Sequence, residues 1–235
     1  MINLSKEVEK YVYYQESNPD LVVLHGDCLE IMPLLPKVDL VVTDPPYGHG
    51  DKWSGGTWAS NPIYDDAFLW DKDPISLDLL TMAISLSKNS IIWGGNYYQL
   101  PPSRCWLAWI KNQRMSTLAD MELAWTNFDA PSKIWEELRN PDGKRNHPTQ
   151  KPISLIKWSI MQCKYWDIPI TIFDPFLGSG TTLIACKELN RCGIGIEISE
   201  KYCEIAKRRL LNTPRPLFTD VSGKCDIIDQ QMELL

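Results

Sequence analysis

The tetrapeptide Asp44-Pro45-Pro46-Tyr47 follows an apolar run, Val38 to Thr43, and puts a carboxylate, a proline carbonyl and an aromatic ring within four residues. Two prolines fix the local backbone and stop the strand pairing of the run before them. An exocyclic amine has two N–H donors and hangs from a ring that needs a stacking surface. Asp44 and the Pro45 carbonyl suit the donors and Tyr47 suits the ring, which is the recognition pattern of a nucleobase turned out of its stack. A Pro-Pro turn that only caps a core strand is the plain alternative.

A second segment, Asp174-Pro175-Phe176-Leu177-Gly178-Ser179-Gly180-Thr181-Thr182, runs from a strand end through a glycine-rich turn into a helix. Small residues there let a ligand approach backbone N–H groups at the positive end of the helix dipole. Leu183 stands where a dinucleotide fingerprint needs its third glycine, and no Gly-Lys-Ser/Thr follows, so pyrophosphate binding and a P-loop both fit poorly. The same departure counts against a nucleotide-dependent oxidoreductase. Glu197, at the next strand end, has the spacing of a ribose-hydroxyl acceptor. The pair points to a nucleoside-containing ligand without phosphates.

Both segments need strand ends to hold them, and the chain supplies strands and helices in alternation. Leu21 to His25, Val38 to Thr43, Ser90 to Trp93, Cys105 to Ile110, Glu122 to Trp125, Ile170 to Phe173 and Gly193 to Ile196 read as strands. Helical spacing predicts helices over Cys28 to Leu35, Ile75 to Leu86, Ile153 to Tyr165, Thr181 to Leu189 and Glu200 to Leu211, with a further candidate at Ser132 to Leu138. Such alternation implies an α/β fold, a mostly parallel sheet with helices on both faces, whose ligand lies beyond the carboxyl ends of the strands.

The chain has 235 residues, 44% hydrophobic and 23% charged, enough for one sizeable core. No apolar run is long enough to cross a bilayer, and the charged N-terminus lacks the apolar core of a signal peptide, so a reducing cytoplasm is the expected compartment. Seven scattered cysteines without a C-x-x-C pair support neither a disulfide framework nor a metal site. A formal charge of −6 means that any nucleic-acid contact comes from a local basic surface.

Together, Asp44-Pro45-Pro46-Tyr47, His147-Pro148-Thr149-Gln150-Lys151-Pro152, the Asp174 to Thr182 segment and Gly195-Ile196-Glu197 resemble the S-adenosylmethionine-dependent DNA amino-methyltransferases. Their order, catalytic tetrapeptide first and cofactor glycines later, is similar to the circularly permuted β-class, and the resemblance spans about Leu21 to Leu211. It implies a Rossmann-like class I fold with a seven-stranded sheet and one reversed strand near an edge. It further implies S-adenosylmethionine as cofactor, S-adenosylhomocysteine as product, and a flipped base in DNA as substrate. The Asp form of the tetrapeptide is usual for adenine N6, the Ser form being commoner for cytosine N4. On this reading Asp44 and the Pro45 carbonyl align the amine nitrogen for in-line displacement, and no covalent enzyme intermediate is needed.

The resemblance also assigns cofactor contacts. Asp174, Pro175, Phe176, Gly178, Ser179, Gly180 and Thr181 lie at the methionine end, Glu197 and Ile198 at the ribose, and Asp27 with Cys28 at the adenine amino group. Thr149 and Lys151 are candidates for the methionine carboxylate; Asp27 as a helix cap and Lys151 as a solvated helix-start lysine are the plain alternatives. DNA contacts fall to two irregular stretches. Residues 48–73 carry Trp53 and Trp58 and are the expected base-flipping loop. Residues 111–146 carry Lys111, Arg114, Lys144 and Arg145 and form a small target-recognition candidate. Lys207-Arg208-Arg209 is a further candidate phosphate contact, or else a solvated helix face. The expected organisation is one domain over residues 1–211 with those two insertions, then a flexible tail over 212–235. The partners expected are DNA and no membrane, and the reading allows a homodimer. A catalytically silent nucleic-acid-binding module on the same scaffold is the competing class.

Overall fold

Apolar runs rich in β-branched residues form the centre of one sheet, in a computed structural model that describes residues 2, 4–48, 74–112, 119–138, 150–163 and 170–215. The strands are β1 (Val12–Glu16), β2 (Leu21–His25), β3 (Val38–Thr43), β4 (Ser87–Trp93), β5 (Trp106–Lys111), β6 (Met121–Thr126), β7 (Lys133–Glu137), β8 (Thr171–Asp174) and β9 (Cys192–Glu197). Their order across the sheet is β1-β2-β9-β8-β3-β4-β6-β5-β7. The five central strands β2, β9, β8, β3 and β4 are mutually parallel, and β6 is antiparallel to both β4 and β5. The expected seven-stranded core, with its reversed strand one place from the edge, is thus present from β2 to β5. Among the described residues two more strands flank it, β1 antiparallel to β2 and β7 parallel to β5.

The seventh of these strands corrects the helix expected over Ser132 to Leu138. Lys133 to Glu137 pair with Leu107 to Lys111 instead, and Trp135 packs on Trp158 with ring centroids 5.5 Å apart. The Glu and Leu spacing of this segment is compatible with a helix, but Ile134 and Trp135 suit a strand and an open sheet edge decides the matter.

Helices α1 (Lys6–Glu9), α2 (Cys28–Ile31) and α3 (Leu77–Ser85) cover one face, while α4 (Ile153–Met161), α5 (Thr181–Glu188) and α6 (Glu200–Asn212) cover the other. Period-2 alternation divides each central strand between the two layers. In β2, Leu21 and Val23 face α4 to α6, whereas Val22 and Leu24 face α1 to α3. All four are fully buried. The chain leaves β3 toward β4 through α3 and leaves β8 toward β9 through α5, in opposite directions along the sheet. The crevice between the carboxyl ends of β3 and β8 is therefore the topological switch point where such sheets bind ligands.

Candidate active site

At that switch point Thr43 and Asp174, the last residues of β3 and β8, are joined side chain to side chain. The Thr43 hydroxyl donates to Asp174 Oδ1 at 2.7 Å, Thr182 at the start of α5 donates to Oδ2 at 2.6 Å, and the Phe176 N–H donates to Oδ1 at 3.1 Å. Asp174 is nearly inaccessible, and burial raises its carboxyl to about 6 despite these three donors.

Beyond Asp174 the glycine-rich turn is held by groups on two other elements. Glu197, closing β9, accepts from the Gly178 N–H at 2.8 Å through one oxygen and from the Ser199 N–H at 2.8 Å through the other. Burial pushes this carboxyl up to about 7. From α6, Arg209 donates to the Ser179 carbonyl at 2.6 Å and to the Ser179 hydroxyl at 2.8 Å. Gly180 has φ +88°, and a Cβ there would stand 2.8 Å from the Ala206 Cβ, so the turn can lie against α6 only without a side chain. Gly178, Ser179 and Thr181 of this turn line a cleft with Val42, Thr43, Asp44, Gln150, Lys151, Asp174 and Phe176.

Asp44, which opens the tetrapeptide Asp44 to Tyr47, stands on the far wall of the cleft. Asp44 Oδ2 accepts from the Lys151 ammonium at 2.6 Å, and Oδ1 accepts from the Tyr47 hydroxyl, which lies 3.3 Å from the same ammonium. Lys151 is also paired with Glu122 of β6 at 2.9 Å, and Glu122 with Lys111 of β5. Burial raises the Asp44 carboxyl, with Lys151 pulling against it. Burial works against the charge on Glu122 as well, but its two lysines hold it at about 2. The Tyr47 ring rests on Gly94, which has φ +68° and where a Cβ would stand 2.0 Å from Tyr47 Cε1. Tyr97 stacks on Tyr47 at 4.9 Å between centroids, and the Tyr98 hydroxyl donates to the Pro46 carbonyl. The turn after β4 thus fixes the tetrapeptide that follows β3.

The structure gathers Asp44, Lys151, Asp174, Phe176, Gly178, Ser179 and Thr181 around one cleft, with Tyr47 bonded to Asp44 and Glu197 behind the turn. Asp27 caps α2 by accepting from the Leu29 N–H at 2.8 Å, Cys28 is buried beside it, and Ile198 is exposed after Glu197. Lys111 is not a phosphate contact: its side chain is 5% exposed and spent on Glu122, and this corrects its assignment to DNA. Nor is Arg209 free for phosphate, since it braces Ser179, while Lys207 and Arg208 both lean on Glu204 at 3.5 and 3.9 Å. Thr149, Trp53, Trp58, Arg114, Lys144 and Arg145, with residues 49–73 of the expected flipping loop and 216–235 of the tail, lie outside the described residues. Sequence reasoning did not single out Thr43, Glu122, Tyr97 or Tyr98; only their positions at or facing strand ends marked them.

Two buried carboxylates with raised pKa values on one side of a cleft favour a ligand that brings cationic and hydroxyl donors. An ammonium near Asp174 and a ribose near Glu197 meet that requirement, so the residues present fit the nucleoside-bearing amino acid that the motifs imply. No helix among the described residues is long and apolar enough to cross a membrane, and no cluster of three His, Cys, Asp or Glu side chains among them could hold a metal ion.

Comparison with known proteins agrees with this geometry. A family model described as DNA methylase, of the N6/N4 methyltransferase type, matches residues 106–208. The Type II methyltransferase M.ScaI of Streptomyces caespitosus is 27% identical over 88% of this chain and 86% of its own. The crystal structure of an M1.HpyAVI–SAM complex aligns with TM-score 0.56 and 25% identity over 80% of this chain and 99% of that one. The cytosine-N4-specific PvuII DNA methyltransferase shares the fold, with TM-score 0.57 and 14% identity over 94% of this chain and 96% of its own. The switch-point cleft, the Asp-Pro-Pro-Tyr tetrapeptide and these likenesses make the chain similar to the S-adenosylmethionine-dependent DNA methyltransferases of the N6/N4 type.

Proposed function

We propose that this protein transfers a methyl group from S-adenosylmethionine to the N6 amino group of adenine in DNA, on a base turned out of the helix. One observation carries the reading: Asp44 and Asp174, at the ends of adjacent strands, line the same cleft, so a base-recognising tetrapeptide and a cofactor turn meet across one bond between Thr43 and Asp174. S-Adenosylmethionine supplies an electrophilic methyl group on a sulfonium. Asp174 and the Gly178-Ser179-Gly180 turn hold its amino-acid end, and Glu197 accepts from its ribose hydroxyls. Asp44 and the Pro45 carbonyl accept the hydrogens of the target amine, which turns the nitrogen lone pair out of conjugation and toward the cleft. Tyr47, braced by Gly94, Tyr97 and Tyr98, offers its ring to the base. Adenine is favoured over cytosine by the Asp that opens the tetrapeptide. DNA is held by the two insertions, through Arg114, Lys144, Arg145, Trp53 and Trp58.

The test is to incubate unmethylated DNA with the protein and cofactor, digest it to nucleosides and identify the product by mass spectrometry. N6-methyl-2′-deoxyadenosine is expected, and N4-methyl-2′-deoxycytidine overturns the base assignment. Asp44→Ala should abolish transfer while cofactor affinity stays within a few-fold. Equal activity in the two proteins would refute the role of Asp44.

A further inference from the structure

Asp44 does not meet Lys151 alone. The Lys151 ammonium lies 2.6 Å from Asp44 Oδ2 and 2.9 Å from Glu122 Oε2, and the other oxygen of Glu122 is held by Lys111. Lys151 and Lys111 are 6% and 5% exposed, so solvent screens this row of alternating charges little. Aromatic rings close around the ammonium, Tyr47 at 5.7 Å and Trp93 at 5.8 Å from its nitrogen. A lysine on a flexible four-carbon stem would pair with Asp44 in many geometries. Here a second carboxylate, fixed in β6 and tied back to β5, pulls it from the opposite side.

We propose that Glu122 is a positioning residue for methyl transfer: by sharing the Lys151 ammonium with Asp44, it fixes the direction from which Lys151 addresses Asp44 and leaves that carboxylate able to accept from the target amine. The inference rests on Asp44 acting on the amine, as proposed above. Without Glu122 the whole ammonium charge falls on Asp44, which becomes a more acidic group and a weaker acceptor. The titratable groups around Asp44 are Tyr47 in its own loop, Lys151 before α4, Glu122 on β6 and Asp174 on β8, with Tyr98 beyond Tyr47. Of these, Glu122 adds negative charge on the far side of Lys151, and its loss shifts Asp44 downward.

The experiment compares wild type, Glu122→Gln, Glu122→Asp and the double variant Glu122→Gln/Lys111→Met, which restores the charge balance should the single variant fold poorly. For Glu122→Gln, kcat is expected to fall roughly tenfold with cofactor affinity within twofold, and the acidic limb of the rate profile to move about one pH unit lower. The Asp44 carboxyl titration, followed by 13C NMR and assigned with Asp44→Asn, should move the same way without reference to activity. Glu122→Asp should recover part of the rate, and the double variant should stay slow. Wild-type rate in the double variant would mean that Glu122 only neutralises Lys111, and an unmoved Asp44 titration in Glu122→Gln overturns the proposal equally. A wild-type protein that methylates no DNA refutes the function instead, and the NMR titration still decides whether Glu122 governs Asp44.

Discussion

With Glu197 accepting from the ribose hydroxyls, as proposed above, cofactor binding becomes a titration whose size follows from the structure. Burial lifts the Glu197 carboxyl from the ordinary 4.5 to about 7 in the ligand-free protein, although backbone N–H groups of Gly178 and Ser199 already donate to it. Ribose hydroxyls donate best to the ionised form, so binding must draw off a proton wherever Glu197 begins protonated. Between pH 7, where Glu197 is already half-protonated, and pH 5.5 the affinity should therefore fall by roughly 16-fold on account of Glu197, or about 1.7 kcal/mol. Asp174, with its carboxyl at about 6, is half-protonated at pH 6 and steepens the fall from about pH 6.5 downward. Below about pH 7 the α-amino group of the cofactor is mostly cationic, so it adds little to this fall. Isothermal calorimetry in buffers of different ionisation enthalpy reads both quantities: at pH 6.5 roughly three-quarters of a proton should be released per cofactor bound. Glu197→Gln should bind about 1.5–3 kcal/mol more weakly at pH 7.5, the scale of a lost charge-assisted hydrogen bond, and change by no more than about twofold between pH 7.5 and 6, the share left to Asp174. An affinity in wild type that is flat from pH 7.5 to 5.5, or a slope that survives undiminished in Glu197→Gln, would refute the reasoning.

Three further outcomes are expected. Arg209→Ala frees the Ser179 turn and should weaken cofactor binding by about 1–2 kcal/mol, while the salt dependence of DNA binding stays unchanged; a shallower salt slope would return Arg209 to the phosphate backbone. Gly94→Ala places a Cβ into the Tyr47 ring at a left-handed backbone position, so kcat should drop at least about tenfold with little change in cofactor affinity by calorimetry. Because the native state keeps protons on Glu197 and Asp174 that the unfolded chain releases, stability without cofactor should fall as pH rises from 5.5 to 7.5. Thermal melts should show that fall, reduced in Glu197→Gln.

The catalytic and cofactor segments were legible because their chemistry is local. Asp44 to Tyr47 and Asp174 to Thr182 each hold strand end, turn and functional groups in one short stretch, and the apolar runs before them point to the buried sheet. What escaped depends on pairing between distant segments. Glu122 reads as one acid among balanced charges until β6 brings it to Lys151, itself 107 positions from Asp44. Lys111 likewise looks like a solvent-facing base until its strand turns it toward Glu122. The strand β7 was missed because Ser132 to Leu138 carries no decisive period, and only the vacant side of β5 selects its extended form. Asp27 shows the converse: its cap on α2 is written in the sequence, whereas a cap leaves open whether the same side chain also meets an adenine.

The bond between Thr43 and Asp174 spans 131 positions, and this separation bears on how the protein is made. At about 5–20 residues per second, the ribosome delivers Asp174 roughly 7 to 26 s after Thr43. During that interval β3 can pair with β4, because their crossover helix α3 lies between them, yet its β8 side stays open. The same delay leaves β2, four of whose five residues end fully buried, without β9. Two apolar strand edges therefore stay unpaired for many folding times of a small domain, a state prone to mispairing and a natural target for holding chaperones. A nascent chain stalled before β8 carries the tetrapeptide braced from the β4 side by Gly94, Tyr97 and Tyr98, but lacks the Asp174 side of the cleft.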